Sequence, residues 1–159
     1  MSFSTQRNKK PAWRRIALSA AVVAVAVGAS ACGHFHMMPG GAERPAAAEF
    51  GFGPRPSAAQ LYTATLLPRQ PLRLRQLETV PVRIADASGR PGAGVAIAVS
   101  GGMPEHGHGL PTQPRVTRAL GDGVYEIEGV RFSMGGWWKL KLAIESPAGA
   151  DSVTFNLSL

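Results

Sequence analysis

The sequence predicts an all-β domain, an immunoglobulin-like antiparallel β-sandwich of about seven strands, preceded by a signal peptide and a disordered linker. Three observations favour this class. Short segments that alternate apolar and polar residues recur after residue 60, Gly and Pro are frequent at 19 and 13 residues, and no later segment carries an apolar stripe at helical spacing. The chain of 159 residues is long enough for one such domain with a core of its own.

The expected strands follow one another along the chain, each with one apolar face. The first clear strand contains Pro81, which is typical of a sheet edge. Turn clusters at 86–92 and 121–123 separate the next strands. The expected inward positions are Val80, Val82 and Ile84; Val95, Ile97 and Val99; Tyr125 and Ile127; Trp138, Leu140, Leu142 and Ile144; and Val153, Phe155, Leu157 and Leu159.

Residues 1–31 have the organisation of a secretory signal peptide. A basic opening precedes the apolar run 16–31, which is shorter than the roughly 20 residues that a membrane-spanning helix needs. Cys32 follows Ala-Ser-Ala, which resembles a bacterial lipobox with Ala29 where leucine is usual. We therefore expect cleavage before Cys32 and attachment to membrane lipid through acylated Cys32. A plain signal peptide with a chance cysteine, or an uncleaved anchor, are the alternatives.

The net charge of +7 is concentrated in that signal peptide. Residues 1–31 hold five of the 17 bases and none of the 10 acids, so the mature chain is nearly neutral. Nucleic acid is therefore not an expected partner. We expect a lipid-anchored protein of the bacterial cell envelope, facing the periplasm or the exterior. Its single cysteine excludes an internal disulfide framework.

Residues 32–60 are expected to form a flexible tether. From 39 to 60, 14 of 22 residues are Pro, Gly or Ala, without a usable period. The folded domain is accordingly expected at 61–159.

All four histidines occur in two His-x-His pairs, and each pair has methionine nearby. Imidazole and thioether without thiolate suit copper, and His-x-His in an extended segment places both rings on one side. A structural role is the alternative, with the His-Gly-His loop as a hydrogen-bonded corner and the methionines in the core. The candidate metal ligands are His106, His108, Met103 and Met134, with a weaker set of His34, His36, Met37 and Met38.

Two further expectations concern the rest of the chain. Trp138 is expected in the core and Trp137 at the surface or a strand edge. We do not expect an enzyme, because the sequence has no nucleophile elbow, phosphate-binding loop, dinucleotide fingerprint or HExxH helix. Glu105 is expected to be a loop charge.

The run 102–114 (GMPEHGHGLPTQP), with 121–125 (GDGVY) and 132–137 (FSMGGW), resembles the YtkA-like domains, which are related to FixH-type proteins of bacterial envelopes. The resemblance covers about residues 75–159, and Gly135 stands where the family often has proline. It implies an immunoglobulin-like sandwich with a non-enzymatic envelope role. Some relatives are linked to copper handling or cytochrome oxidase assembly. We therefore expect a membrane-anchored binding protein that binds or delivers copper, or else a metal-free module that assists an envelope or respiratory complex as its protein partner.

Overall fold

The computed structural model describes residues 42–159, and the predictions for 1–31, Cys32 and the tether as far as residue 41 lie outside this range. Within it, no helix is long and apolar enough to cross a bilayer. The described part contains a 3₁₀ helix, Ala47–Glu49, and the strands β1 (Arg55–Pro56), β2 (Tyr62–Leu66), β3 (Glu78–Asp86), β4 (Ala96–Met103), β5 (His108–Gly109), β6 (Arg115–Gly121), β7 (Val124–Val130), β8 (Trp137–Ser146) and β9 (Gly149–Ser158).

The strands form one antiparallel sheet that nearly closes on itself. Their order is β1-β2-β3-β7-β6-β4-β8-β9, with β5 paired to β4. Strands β4 and β6 pair only between Ala98 and Arg115, which marks a seam. At the other end of the order, Phe50 forms a bridge with Asn156 of β9. The expected all-β, sandwich-like fold is confirmed. Strands β1, β2, β5 and β6 lie outside the segments that the alternation identifies. The expectation that the strand with Pro81 is a sheet edge is wrong, because β3 pairs with β2 on one side and with β7 on the other.

The core lies between the inward faces of these strands. Phe132 and Trp138 meet edge to face in it, with ring centroids 5.2 Å apart. Val95, Ile97 and Val99 are only partly buried, because β4 borders the seam. The predicted inward residues that are fully buried are Val80, Val82, Ile84, Tyr125, Ile127, Trp138, Leu140, Leu142, Ile144, Val153, Phe155 and Leu157.

The prediction that Trp137 lies at the surface or a strand edge is wrong. Its side chain is on the opposite face of β8 from Trp138, yet both are 0 % exposed. The Trp137 indole Nε1–H donates to Asn156 Oδ1 at 3.0 Å, and Lys139 Nζ lies 5.0 Å from a Trp137 ring centroid. Strand alternation therefore predicts correctly that Trp137 and Trp138 lie on opposite faces of β8. It does not predict that the face of Trp137 is also covered by other side chains at this position.

The flexible tether predicted for 32–60 is also wrong over residues 42–60. Strand β1 pairs with β2, and the Ala58 N–H donates to Ser152 O of β9 at 2.9 Å. Pro and Gly disfavour regular structure, but the backbone groups of this segment still find partners on the neighbouring strands. The folded part therefore includes residues 46–60 as well as 61–159.

Asp151 holds this segment against β9. Its carboxylate accepts hydrogen bonds from the backbone N–H groups of Ala59 at 3.0 Å and Leu61 at 3.3 Å. Hydrogen bonding, first from the Ser57 hydroxyl and then from the N–H groups of Ala59, Ser152 and Leu61, lowers the pKa of Asp151 to about 2. The ionised side chain therefore stabilises the closure between β1 and β9.

The hairpin between β6 and β7 confirms the expected turn at 121–123. Asp122 and Gly123 have φ values of +49° and +71°, as a two-residue primed turn requires. Gly123 also lies against the Ile84 carbonyl oxygen, which a Cβ at this position would overlap. This glycine is needed both for its backbone conformation and for the close approach.

Candidate functional site

His106 and His108 belong to the tight hairpin that connects β4 and β5. Met103 pairs with His108 across the hairpin, and the Met103 carbonyl accepts the His106 N–H at 3.1 Å and the Gly107 N–H at 2.9 Å. Gly107 has a φ of +67°, which glycine adopts without strain. The loop is therefore a hydrogen-bonded turn, and it differs from the extended His-x-His segment that the sequence suggests.

The turn nevertheless places the two imidazole rings side by side. Both are exposed, with centroids 5.7 Å apart and planes inclined by 32°. A metal bound to a histidine nitrogen lies about 3 Å from the ring centroid, so two rings that share one ion have centroids at most about 6 Å apart. The observed separation of His106 and His108 satisfies this limit.

The two candidate methionines occupy different environments near these rings. Met103 is 1 % exposed, and its methyl group fills the space beside Gly136, where a Cβ would come within 2.8 Å of it. Met134 is 41 % exposed, and its carbonyl accepts the Trp138 Nε1–H at 3.0 Å. Met134 is thus the accessible thioether and Met103 a core side chain.

Trp138 connects the hairpin to the loop that carries Met134. The His108 ring approaches Trp138 edge-on, with centroids 6.2 Å apart. The Trp138 indole in turn donates to the Met134 carbonyl. The fold therefore brings the four predicted ligands of the domain to one end of the sandwich, from the β4–β5 hairpin and from the loop between β7 and β8.

Within residues 42–159, carboxylates do not form a ready-made ligand set at the hairpin. Glu105, as expected of a loop charge, forms a surface ion pair with Arg44 at 3.1 Å. In the described range 42–159, no group of three or more His, Cys, Asp or Glu side chains is arranged to hold a metal ion. A metal at this hairpin would therefore use thioether donors beside the two imidazoles.

An open cleft of about 450 Å³ adjoins the hairpin on the outer face of β4 and β8. Lys139 and Lys141 line it together with His108 and Thr154. Alternation along β8 puts both lysines on one face, but their position beside the histidine depends on the pairing of Gly102 with Lys139. Sequence reasoning missed these neighbours because that register is a long-range property.

The other predicted site residues cannot be placed on this site. His34, His36, Met37, Met38 and Cys32 all precede the described range.

A family model described as YtkA-like matches residues 57–143, which include the histidine hairpin and Met134. No curated protein and no solved structure matches the chain.

Proposed function

The chain belongs to the YtkA-like family, and from this premise we propose that it is a membrane-anchored envelope protein that binds or delivers copper through its histidine hairpin. The family match supports an envelope-associated domain. The observation that carries the copper proposal is the pair of exposed imidazoles, His106 and His108, 5.7 Å apart beside the loop of Met134.

The donor set is what favours copper over other ions. Imidazole is a ligand for several transition metals, whereas a thioether favours Cu(I). Met134 is assigned as the first thioether ligand because it is exposed. Met103 is assigned as the second, since moving its buried side chain towards an ion would open space beside Gly136.

The remaining parts of the proposal rest on the sequence. Residues 1–31 direct export, acylated Cys32 holds the protein on membrane lipid, and an envelope protein is the partner that receives or supplies copper. The protein binds and does not catalyse a reaction. Glu105, the acid nearest the histidines in the loop, is engaged by Arg44.

Competitive titration with Cu(I) tests the copper site. The soluble segment 42–159 retains the whole described fold, which lies within one compact unit, and it omits the weaker ligand set at residues 34–38. We expect His106→Ala/His108→Ala to abolish high-affinity binding, and Met134→Leu to weaken it by more than about tenfold. Glu105→Gln is the matched control in the same loop and should bind like the wild type. Equal affinity of the wild type and the double variant would refute the assignment.

A metal-free interaction module is the second candidate, and the edge contact between His108 and Trp138 favours it. In this case the hairpin is structural, and the histidine variant has no copper affinity to lose. The expected result is then a clear fall in melting temperature in metal-free buffer. Copper binding predicts the reverse pattern: the melting temperatures of the wild type and the histidine variant should differ little without metal and strongly with copper present.

The anchor is tested separately in cells. Cys32→Ser should release the full chain from membranes after a high-salt wash. Retention after that wash would indicate an uncleaved helix instead of an acylated cysteine.

A further inference from the structure

The loop between β2 and β3, residues 67–77, exposes an unusual set of side chains. Within residues 42–159, the exposed large apolar side chains are Leu67, Leu74, Leu77, Leu120 and Met134. Three of these five lie in this loop, and Leu77 is 69 % exposed. Burying leucine is ordinarily favourable, so their concentration in one exposed segment indicates a contact surface.

Met134 extends this surface at the end of the sandwich that carries the histidine hairpin. Leu74 forms a bridge with Phe132, and its Cδ1 lies 4.0 Å from where a Cβ of Gly135 would stand. Leu74 therefore lies beside the loop of Met134. The leucine loop and the metal-site loop are neighbours.

The same loop is basic. It contains Arg69, Arg73 and Arg75 and no acidic residue. Arg73 pairs with Glu78 at 3.3 Å, and Arg69 lies 3.7 Å from Glu126, but both arginine side chains stay more than half exposed. Among residues 42–159, Arg75 forms no ion pair, although its backbone N–H is held by the Phe132 carbonyl at 2.7 Å.

We propose that the 67–77 loop docks onto the surface of an anionic phospholipid bilayer. Leucine side chains enter the boundary between headgroups and acyl chains, and arginines bind the lipid phosphates. Two copies of this loop would bring like charges together, so the charge disfavours self-association. Alternation of leucine with arginine fits a membrane interface, which is apolar on one side and anionic on the other.

The start of the described range lies at the same end of the fold as the 67–77 loop. The described segment begins near Ser158, which lines a depression with Arg44 and Phe50. The next residue, Leu159, exchanges backbone hydrogen bonds with Gly136, one residue from the contact with Leu74. Residue 42 is ten positions after Cys32, and ten extended positions span at most about 36 Å. An acylated Cys32 would therefore keep the start of the described range within about 36 Å of the bilayer surface.

Vesicle co-sedimentation tests the proposal with the non-acylated segment 42–159, so the result does not depend on Cys32. The wild type should bind vesicles of phosphatidylcholine and phosphatidylglycerol, bind far less to phosphatidylcholine alone, and dissociate as NaCl is raised. Arg75→Gln should weaken binding about fivefold, and Leu74→Ser/Leu77→Ser should weaken it further. The matched controls Leu120→Ser and Arg83→Gln lie outside the loop and should bind like the wild type.

Several results would overturn the proposal. They are equal binding to neutral and anionic vesicles, no effect of Arg75→Gln or of the leucine substitutions, or light scattering that shows a dimer dependent on the leucines. If the double variant does not fold, the single variant Leu77→Ser tests the role of the leucines, because this mostly exposed side chain can be replaced without disturbing the fold. Copper affinity should be the same for Leu77→Ser and the wild type, so failure here is distinguishable from failure of the copper site.

Discussion

Replacing Asn156 with alanine removes the acceptor of the Trp137 indole N–H. The bond is 3.0 Å long, Trp137 is 0 % exposed and Asn156 is 8 % exposed, so water has little access to replace it. A buried donor left without a partner costs about 1–3 kcal/mol. For a domain of this size we expect the melting temperature to fall by about 4–12 °C.

A double-mutant cycle isolates this hydrogen bond from the change in packing. Asn156→Ala, Trp137→Phe and the double variant are unfolded in urea and followed by far-ultraviolet circular dichroism, which does not depend on the fluorescence of Trp137. The double variant should lose less stability than the sum of the two single losses, by about 1 kcal/mol. Thr154→Ala, an exposed position on β9, is the control and should change stability by less than about 0.5 kcal/mol. Additive losses, or an Asn156→Ala variant as stable as the wild type, would refute the reasoning.

Three further predictions concern the frame of the sandwich. Gly123→Ala should lower the free energy of unfolding, measured in urea, by about 2–4 kcal/mol, because the new Cβ would overlap the Ile84 carbonyl oxygen in a strained backbone conformation. Gly89→Ala is the control: Gly89 also has a positive φ, but its Cβ would stand in open space, so the loss should be only about 1 kcal/mol. Equal losses for the two variants would contradict this reasoning. The depressed pKa of Asp151 means that its contribution to stability is complete above about pH 4 and is lost as the pH falls towards 2. Asp151→Asn should therefore lose less stability than the wild type between these pH values in acid titrations of the melting temperature. A chain of residues 61–159 should have a much lower melting temperature in calorimetry than a chain of residues 42–159. Equal melting temperatures would support the hypothesis that residues 42–60 are a flexible tether.

Much of the fold is predictable because strand alternation is a local signal. In β8 and β9 the structure buries the apolar residues at every second position, since successive side chains of a strand point to opposite faces. Trp137 and Asn156 are the additional buried residues on the other face. The turn at Asp122 and Gly123 is similarly local, because few residues adopt a positive φ without strain.

Part of the candidate site was also predictable. The spacing of His106 and His108 predicted that their rings lie near each other, and the ring centroids are 5.7 Å apart. A turn with a left-handed Gly107 brings them together, however, and the sequence interpretation assumed an extended segment. The different exposure of Met103 and Met134 was not predictable, because it depends on how the hairpin packs against Gly136 and Trp138.

By itself, the sequence determined the all-β class, the inward face of most strands and the main turns. Each of these follows from residues a few positions apart. Only the tertiary structure decided that residues 42–60 belong to the fold and that Trp137 is buried. Both depend on contacts with β9, such as the bridge between Phe50 and Asn156, which are about a hundred residues apart in the chain. Composition and periodicity do not predict which distant backbone groups will form hydrogen bonds. The hydrogen bond between Trp137 and Asn156 likewise forms only when β8 and β9 pair in one register.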